Sequence, residues 1–232
     1  MRDKLALGTV QFGLDYGVTN NNGQVTIKEA RKILGLSRRN NIKTLDTAAS
    51  YGDSEKVLGQ IGVSSHEVIT KTIPLQENVD KVINHFYKSL ENMNLSRVKG
   101  LLVHDVNDIR KKNFTSLFKE LSSLKREGII NQIGFSIYTP EQANELIDKF
   151  EFDLIQLPIN VFDTRLIKGR QLRLLNDRGI EIHARSVFLQ GLLLDLENIP
   201  GYFSEWKEKF LQYQEMVSSS RLSLLEYALS FV

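Results

Sequence analysis

Residues 43–59 read KTLDTAASYGDSEKVLG: a short apolar strand, then Asp46 and, five residues later, Tyr51, in the turn that leads into a helix. An Asp at that point can serve simply as a cap, because its carboxylate accepts a hydrogen bond from an exposed backbone N–H. The rest of the chain decides between cap and chemistry, because it repeats the same pattern of strand, polar strand end and helix. Short apolar runs predict strands at 4–9, 42–46, 67–71, 100–104, 130–136, 152–157 and 179–185. Between them, helical spacing predicts helices at about 27–40, 53–61, 79–93, 113–127, 140–149 and 166–177. In VDKVINHFYKSLENM (79–93), Val82, Phe86 and Leu90 recur at intervals of four, and the Leu, Phe and Tyr positions of this helix are assigned to the core. Thr139-Pro140-Glu141 is a start signal, a capping residue followed by Pro at the first helical position.

Regular alternation of strand and helix implies parallel pairing with right-handed crossovers, and helices that cover the sheet. A doubly wound open sheet announces itself by a glycine-rich phosphate turn after an early strand. The glycines of LGTVQFG fall at 8 and 13, which is not that spacing. Polar residues instead recur at strand ends: Asp46, Lys71, His104, Ser136, Gln156 and Arg185. This pattern belongs to an α/β fold of the TIM type, a (β/α)8 barrel whose chemistry sits at the C-terminal ends of its strands. Only seven strands are legible, and RLSLLEYALSFV (221–232) reads as a helix. The expectation is one barrel domain over residues 1–232 that lacks its last strand-helix unit.

Composition narrows the function. With 25% charged and 41% hydrophobic residues and a net charge of +2, the chain is ordinary globular material, and the basic clusters SRRNNIK and IRKKN sit beside predicted helices as solvated faces. Nucleic acid is therefore not expected as a partner. The absence of Cys removes disulfides, thiolate metal sites and a cysteine nucleophile. His66, His85 and His183 show no ligand spacing, so no metal site is expected. The apolar stretch in MRDKLALGTVQFG is too short for a signal peptide, and no run approaches a membrane span, so a cytoplasmic protein with no membrane partner is the expectation.

If the second, third and fourth strands are barrel neighbours, Asp46, Lys71 and His104 converge at one mouth, with Tyr51 above it. A buried Lys needs a carboxylate close by, and Asp46 is the natural counter-ion. A cation beside a phenol favours phenolate, so the expectation is a Tyr51 pKa lowered from about 10 toward working pH. Tyr51 would then donate and recover a proton, with His104 as a second donor or relay to the same oxygen. Such a set suits carbonyl reduction. The loop after the first strand, with Asp15 and Tyr16, borders the mouth, and its polar side chains favour a hydroxylated, sugar-derived carbonyl compound. Gln11 and Tyr16 are assigned to substrate. Trp206 is assigned to helix packing ahead of pocket lining.

DTAASYGDSEKVLG is similar over its whole length to the signature of the aldo-keto reductase family, and LALGTVQFG, LLVHD and IGFS occur in that family's order. The resemblance implies a catalytic tetrad of Asp46, Tyr51, Lys71 and His104, with Tyr51 as general acid. It also implies NADPH or NADH bound across the barrel mouth, and a small-molecule carbonyl substrate. Ser136 and Gln156 match positions that hold the nicotinamide carboxamide. The loop from Ser186 through Leu189 to Gly191 matches the one covering the pyrophosphate, and Thr9 and Arg185 complete the cofactor set. Two residues depart from the family pattern: Ile137 stands where Asn is common, and Arg185 where many members place an aromatic ring under the nicotinamide. The family grips the adenosine after its eighth strand, so this chain is expected to carry the tetrad without that grip. Two other classes fit a barrel with a strand-end lysine: a non-catalytic cofactor-sensing member of the family, and a lyase or aldolase using Lys71 as a Schiff base.

Overall fold

In the computed structural model, residues 4–232 are described; residues 1–3, included in the single-domain reading, lie outside them. The strands are β1 (Ala6–Gly8), β2 (Thr44–Asp46), β3 (Glu67–Lys71), β4 (Val98–Val103), β5 (Ile130–Ser136), β6 (Leu154–Pro158) and β7 (Glu181–Arg185). The helices are α1 (Val10–Gly13), α2 (Ile27–Arg39), α3 (Ser54–Ile61), α4 (Val79–Met93), α5 (Phe114–Arg126), α6 (Pro140–Lys149), α7 (Arg165–Lys168), α8 (Gln171–Asp177), α9 (Lys207–Ser220) and α10 (Leu224–Phe231). All seven strands are parallel and pair in chain order, with β1 and β7 at the two edges.

The sheet is strongly curled. Strands β2 and β6 stand four strand spacings apart, roughly 19 Å across a flat sheet. Yet Gln156 Nε2 on β6 donates to Asp46 Oδ1 on β2 at 2.8 Å. Such closure is that of a (β/α) barrel, open between β1 and β7. Inside it, Ile69, Leu102 and Leu154 from β3, β4 and β6 form an apolar layer. Below that layer, at the N-terminal strand ends, Glu181 gathers Lys99 (3.0 Å), Gln132 (2.7 Å) and His183 (2.7 Å). Above it lie the polar C-terminal ends.

The opposite strand faces bury Leu45, Leu101, Phe135 and Ile155 against Leu34, Leu58, Phe86, Leu117 and Leu146 of the surrounding helices. Each such side chain contributes about 1.5–3 kcal/mol on leaving water. Helix α4 buries Val82, Phe86 and Leu90 as its period predicts, but Tyr87 is 41% exposed, so the core assignment fails for that residue. Thr139 and Gln142 close a capping box at the start of α6.

Beyond β7 the alternation breaks. Helices α9 and α10 build a separate apolar cluster on Leu193, Tyr213 and Val217. Trp206 ends a short 3-10 turn there, 53% exposed, with its indole N–H donated to neighbouring Glu205, so the packing role expected of it is not seen.

Candidate active site

The residues singled out at the strand ends meet at the barrel mouth. Asp46 and Lys71 end β2 and β3, and His104 directly follows β4. The Lys71 side chain is almost wholly buried, and its amine donates to Asp46 Oδ1 (2.7 Å), the Thr47 carbonyl (2.8 Å) and Tyr51 Oη (3.4 Å). Three acceptors for three N–H protons is the coordination of an ammonium, not of a free amine. Tyr51 is aimed by its turn: its N–H donates to the Ala48 carbonyl, and its own carbonyl accepts from Ser54 N, both at 3.0 Å. Gly13 permits this placement, because a Cβ there would lie 1.8 Å from the Tyr51 carbonyl oxygen. His104 stands edge-on to Tyr51, with ring centroids 6.2 Å apart, and its Nδ1 is 3.3 Å from Ser50 Oγ.

Electrostatics correct one expectation. The Tyr51 pKa is not lowered; burial first, and then the Asp46 charge, push it well above the ordinary value, against the pull of Arg185. The physical reason is that Lys71 is already paired with Asp46, so desolvation of a phenolate outweighs the remaining attraction. Burial likewise drags Lys71 below its usual range, against the charge and hydrogen bond of Asp46. Burial and the Lys71 charge bring His104 down to about 4, so it is neutral at pH 7.

The other assigned residues divide. Ser136 ends β5, and its hydroxyl has no partner among the described residues. Gln156 reaches the mouth with its amide N–H on Asp46 and its Oε1 open. The loop after β7 holds Ser186, Leu189 and Gln190 at φ of 57°, 48° and 56°, with Gly191 at 97°. Left-handed backbone in non-glycine residues is strained, and such strain clusters at functional sites. Thr9 is an exception among the cofactor assignments. It is fully buried, with its hydroxyl donated to the Asp46 carbonyl and accepting from Ser54, so it supports β2 and offers a ligand nothing from its side chain. Gln11 donates to the Tyr16 carbonyl at 2.9 Å, which fixes the loop that carries the half-exposed Tyr16 phenol beside Tyr51. Asp15 is turned into its own loop, accepting from Asn20.

Sequence reasoning missed two residues here, Tyr138 and Asn160, and took in a third, Gln190, only as part of the loop from Ser186 to Gly191. Tyr138 stacks on the Arg185 guanidinium at 4.0 Å. Asn160 is buried and donates to the Ser186 carbonyl at 3.0 Å, anchoring the strained loop; its signal was a lone Asn in the apolar run LPINVF. Gln190 accepts from Val18 N at 3.1 Å, which ties the loop after β7 to the loop after β1 across the open side of the sheet.

A curled parallel sheet that gathers lysine, carboxylate, phenol and imidazole at its C-terminal rim has the architecture of the (β/α) barrels, the class whose enzymes carry their active sites at that rim. The family is also known: the aldo/keto reductase family matches residues 4–232, and this chain belongs to it. It is 30% identical over 165 residues to an aldo-keto reductase of Mycobacterium sp. (strain KMS), covering 68% of this chain and 58% of that protein. To an uncharacterized oxidoreductase of Bacillus subtilis (strain 168) it is 25% identical over 162 residues, covering 66% and 56%. The chain thus spans less than three fifths of these relatives. In fold it resembles a putative aldo-keto reductase from Pseudomonas aeruginosa (TM-score 0.69, 23% identity, 81% of this chain and 74% of that one). It also resembles a glycerol dehydrogenase from Gluconobacter oxydans (TM-score 0.73, 20% identity, 97% and 77%).

Proposed function

We propose that the chain is an NAD(P)H-dependent oxidoreductase that reduces an aldehyde or ketone to an alcohol, with Tyr51 as the proton donor. The observation that carries this reading is the Lys71 ammonium, bonded at once to Asp46 and to the Tyr51 hydroxyl. Tyr51 remains a phenol at neutral pH and so holds the proton it must give. As that proton moves to the substrate oxygen, negative charge develops on Oη beside Lys71. The ammonium therefore acts on the transition state more than on the resting phenol. Asp46 and the Thr47 carbonyl hold Lys71 in place, and neutral His104 offers a ring nitrogen to the same oxygen.

The reduced nicotinamide would supply hydride to the carbonyl carbon. The free Ser136 hydroxyl and the open Gln156 Oε1 fit an amide group, and the left-handed residues Ser186, Leu189, Gln190 and Gly191 give the loop after β7 an irregular backbone of the kind that can cradle phosphate. Tyr16 and the loop that Gln11 pins would border the substrate. A Schiff-base role for Lys71 is disfavoured, because all three of its protons are already donated.

The test is to follow the loss of NADPH and NADH absorbance with a panel of aldehydes and ketones. Consumption of either cofactor with at least one of them supports the reading. Cofactor binding without consumption of either one would instead identify a cofactor-sensing protein, and borohydride trapping of substrate on Lys71 would identify a lyase.

A further inference from the structure

Charge at the mouth does not balance. Lys71 and Asp46 offset one another at 2.7 Å, and His104 is neutral at pH 7. Arg185, at the end of β7, is held only by neutral groups. Its Nη2 donates to the Ile137 carbonyl at 2.9 Å, its Nη1 donates to Ser186 Oγ at 3.3 Å, and its guanidinium lies 4.0 Å from the centre of the Tyr138 ring. These contacts fix the group without removing its charge, and Arg185 forms no ion pair among the described residues. The acids nearby do not make up the difference. Asp163 is forked by Arg165, with both contacts at 2.8 Å. Asp105 accepts from the backbone and side chain of Asn107, both at 3.0 Å, and acts on His104 more weakly than Arg185 does. The mouth is left with a net positive charge.

That charge stands among the groups that fit the nicotinamide amide. The carbonyl bonded by Arg185 belongs to the residue after Ser136, and the Ile137 N–H donates to the Gln156 carbonyl at 2.9 Å. Strand β6, which carries Gln156, runs beside β7, with Pro158 opposite Arg185. Arg185 acts electrostatically on Tyr51, Lys71 and His104 alike, so it acts also on a redox ring that must reach a carbonyl group held by Tyr51. In the proposed reaction, hydride passes to the carbonyl carbon and Tyr51 protonates the oxygen. The dihydronicotinamide is neutral beforehand and the nicotinamide is a cation afterwards, whereas the cofactor phosphates are the same in both forms. A fixed cation nearby repels the oxidised ring and leaves the reduced one untouched.

We propose that Arg185 makes the site distinguish the two redox forms of the cofactor by charge, so that it takes up the reduced form in preference and expels the oxidised product. This inference rests on the reductase reading and adds a direction to it. Stacked on one ring and bonded through two nitrogens, the guanidinium cannot swing away when the charge on the cofactor changes, and it stays protonated at any working pH.

The test is calorimetric titration of NADPH and NADP+, and of NADH and NAD+, into the wild-type chain and three variants. Arg185→Gln and Arg185→Met both remove the charge, so either serves provided that circular dichroism shows it folded, and Arg185→Lys keeps the charge. For the cofactor pair that binds more tightly, the wild type should hold the reduced form about 10-fold more tightly, the size expected for one like-charge repulsion in a partly solvated mouth. Removing the charge should cut that ratio several-fold, mainly through tighter binding of the oxidised form, and Arg185→Lys should retain most of it. A wild-type ratio near one, or in favour of the oxidised form, overturns the proposal. So does a ratio that survives loss of the charge, or one that falls equally in Arg185→Lys. Weaker binding of both forms with an unchanged ratio assigns Arg185 to simple contact with the cofactor and overturns the proposal while leaving the reductase reading intact. Binding of no form of either cofactor by the wild type rejects the reductase reading, and the proposal with it. The expected change of ratio in a protein that reduces no aldehyde upholds the charge discrimination and identifies a cofactor-sensing protein instead.

Discussion

Replacing Lys71 with Met tests whether the strand ends are welded together by charge. The methionine keeps the buried stem but removes the ammonium that bonds Asp46, the Thr47 carbonyl and Tyr51. Asp46 Oδ1 would keep Gln156 as a donor at 2.8 Å, so the carboxylate is left charged and only partly satisfied. Breaking a buried pair in this way costs roughly 3–5 kcal/mol, and because the Asp46 side chain is 17% exposed the lower end applies, about 3 kcal/mol. For a chain of this size that is a fall in melting temperature of roughly 6–12 °C. The assay is thermal denaturation followed by circular dichroism, on Lys71→Met, Asp46→Asn and the double variant. The double variant should be less destabilised than the two single losses added together, by at least about 1 kcal/mol, because the second substitution removes the stranded charge. Equal melting of wild type and Lys71→Met, or strict additivity, would refute the argument.

Other outcomes follow from the same geometry. His104 is held at about 4 against an ordinary 6.5, so the unfolded chain binds the extra proton first. Stability should therefore decline as pH falls from about 6.5 toward 4, and a His104→Gln variant should show a flatter melting profile over that window. Burial works to raise the Glu181 pKa, but hydrogen bonds from Gln132, His183 and Lys99 outweigh it and hold the carboxyl at about 2. Its contribution is present above about pH 4.5 and is lost between 4.5 and 2, so Glu181→Gln should flatten acid unfolding in that lower range only. Gly13→Ala drives a methyl into the Tyr51 carbonyl; a cost of about 1–3 kcal/mol is expected for such overpacking, together with lost turnover from a displaced phenol. Unchanged melting of Gly13→Ala would show that the turn yields freely.

Much of this arrangement was legible because strand periodicity and helix caps are local. Asp46, Lys71, Ser136 and Arg185 end their strands as read, and Thr139-Pro140 opens its helix. Other features depend on contacts far apart in the chain. Nothing near Gln156 in sequence announces that it bonds Asp46, 110 residues away, because that bond exists only once the sheet has curled. The direction of the Tyr51 shift was misread because its closeness to Lys71 follows from the order of neighbouring strands, whereas depth of burial does not. Helix α9 went unassigned because a strict alternation leaves no place for it; the spacing of Phe210, Tyr213 and Val217 was its signal. The predicted helix over 166–177 is interrupted at Gly169, where the backbone turns extended between α7 and α8.

The central claim is that Tyr51 delivers the proton. Tyr51→Phe removes one hydroxyl and leaves the ring against His104, so the variant should fold, melt near the wild type and bind NADPH with similar affinity. Its turnover number with an aldehyde that the wild type reduces should fall by about two orders of magnitude or more, the loss expected for a missing general acid. Turnover within a few-fold of wild type in a correctly folded Tyr51→Phe protein would contradict the account.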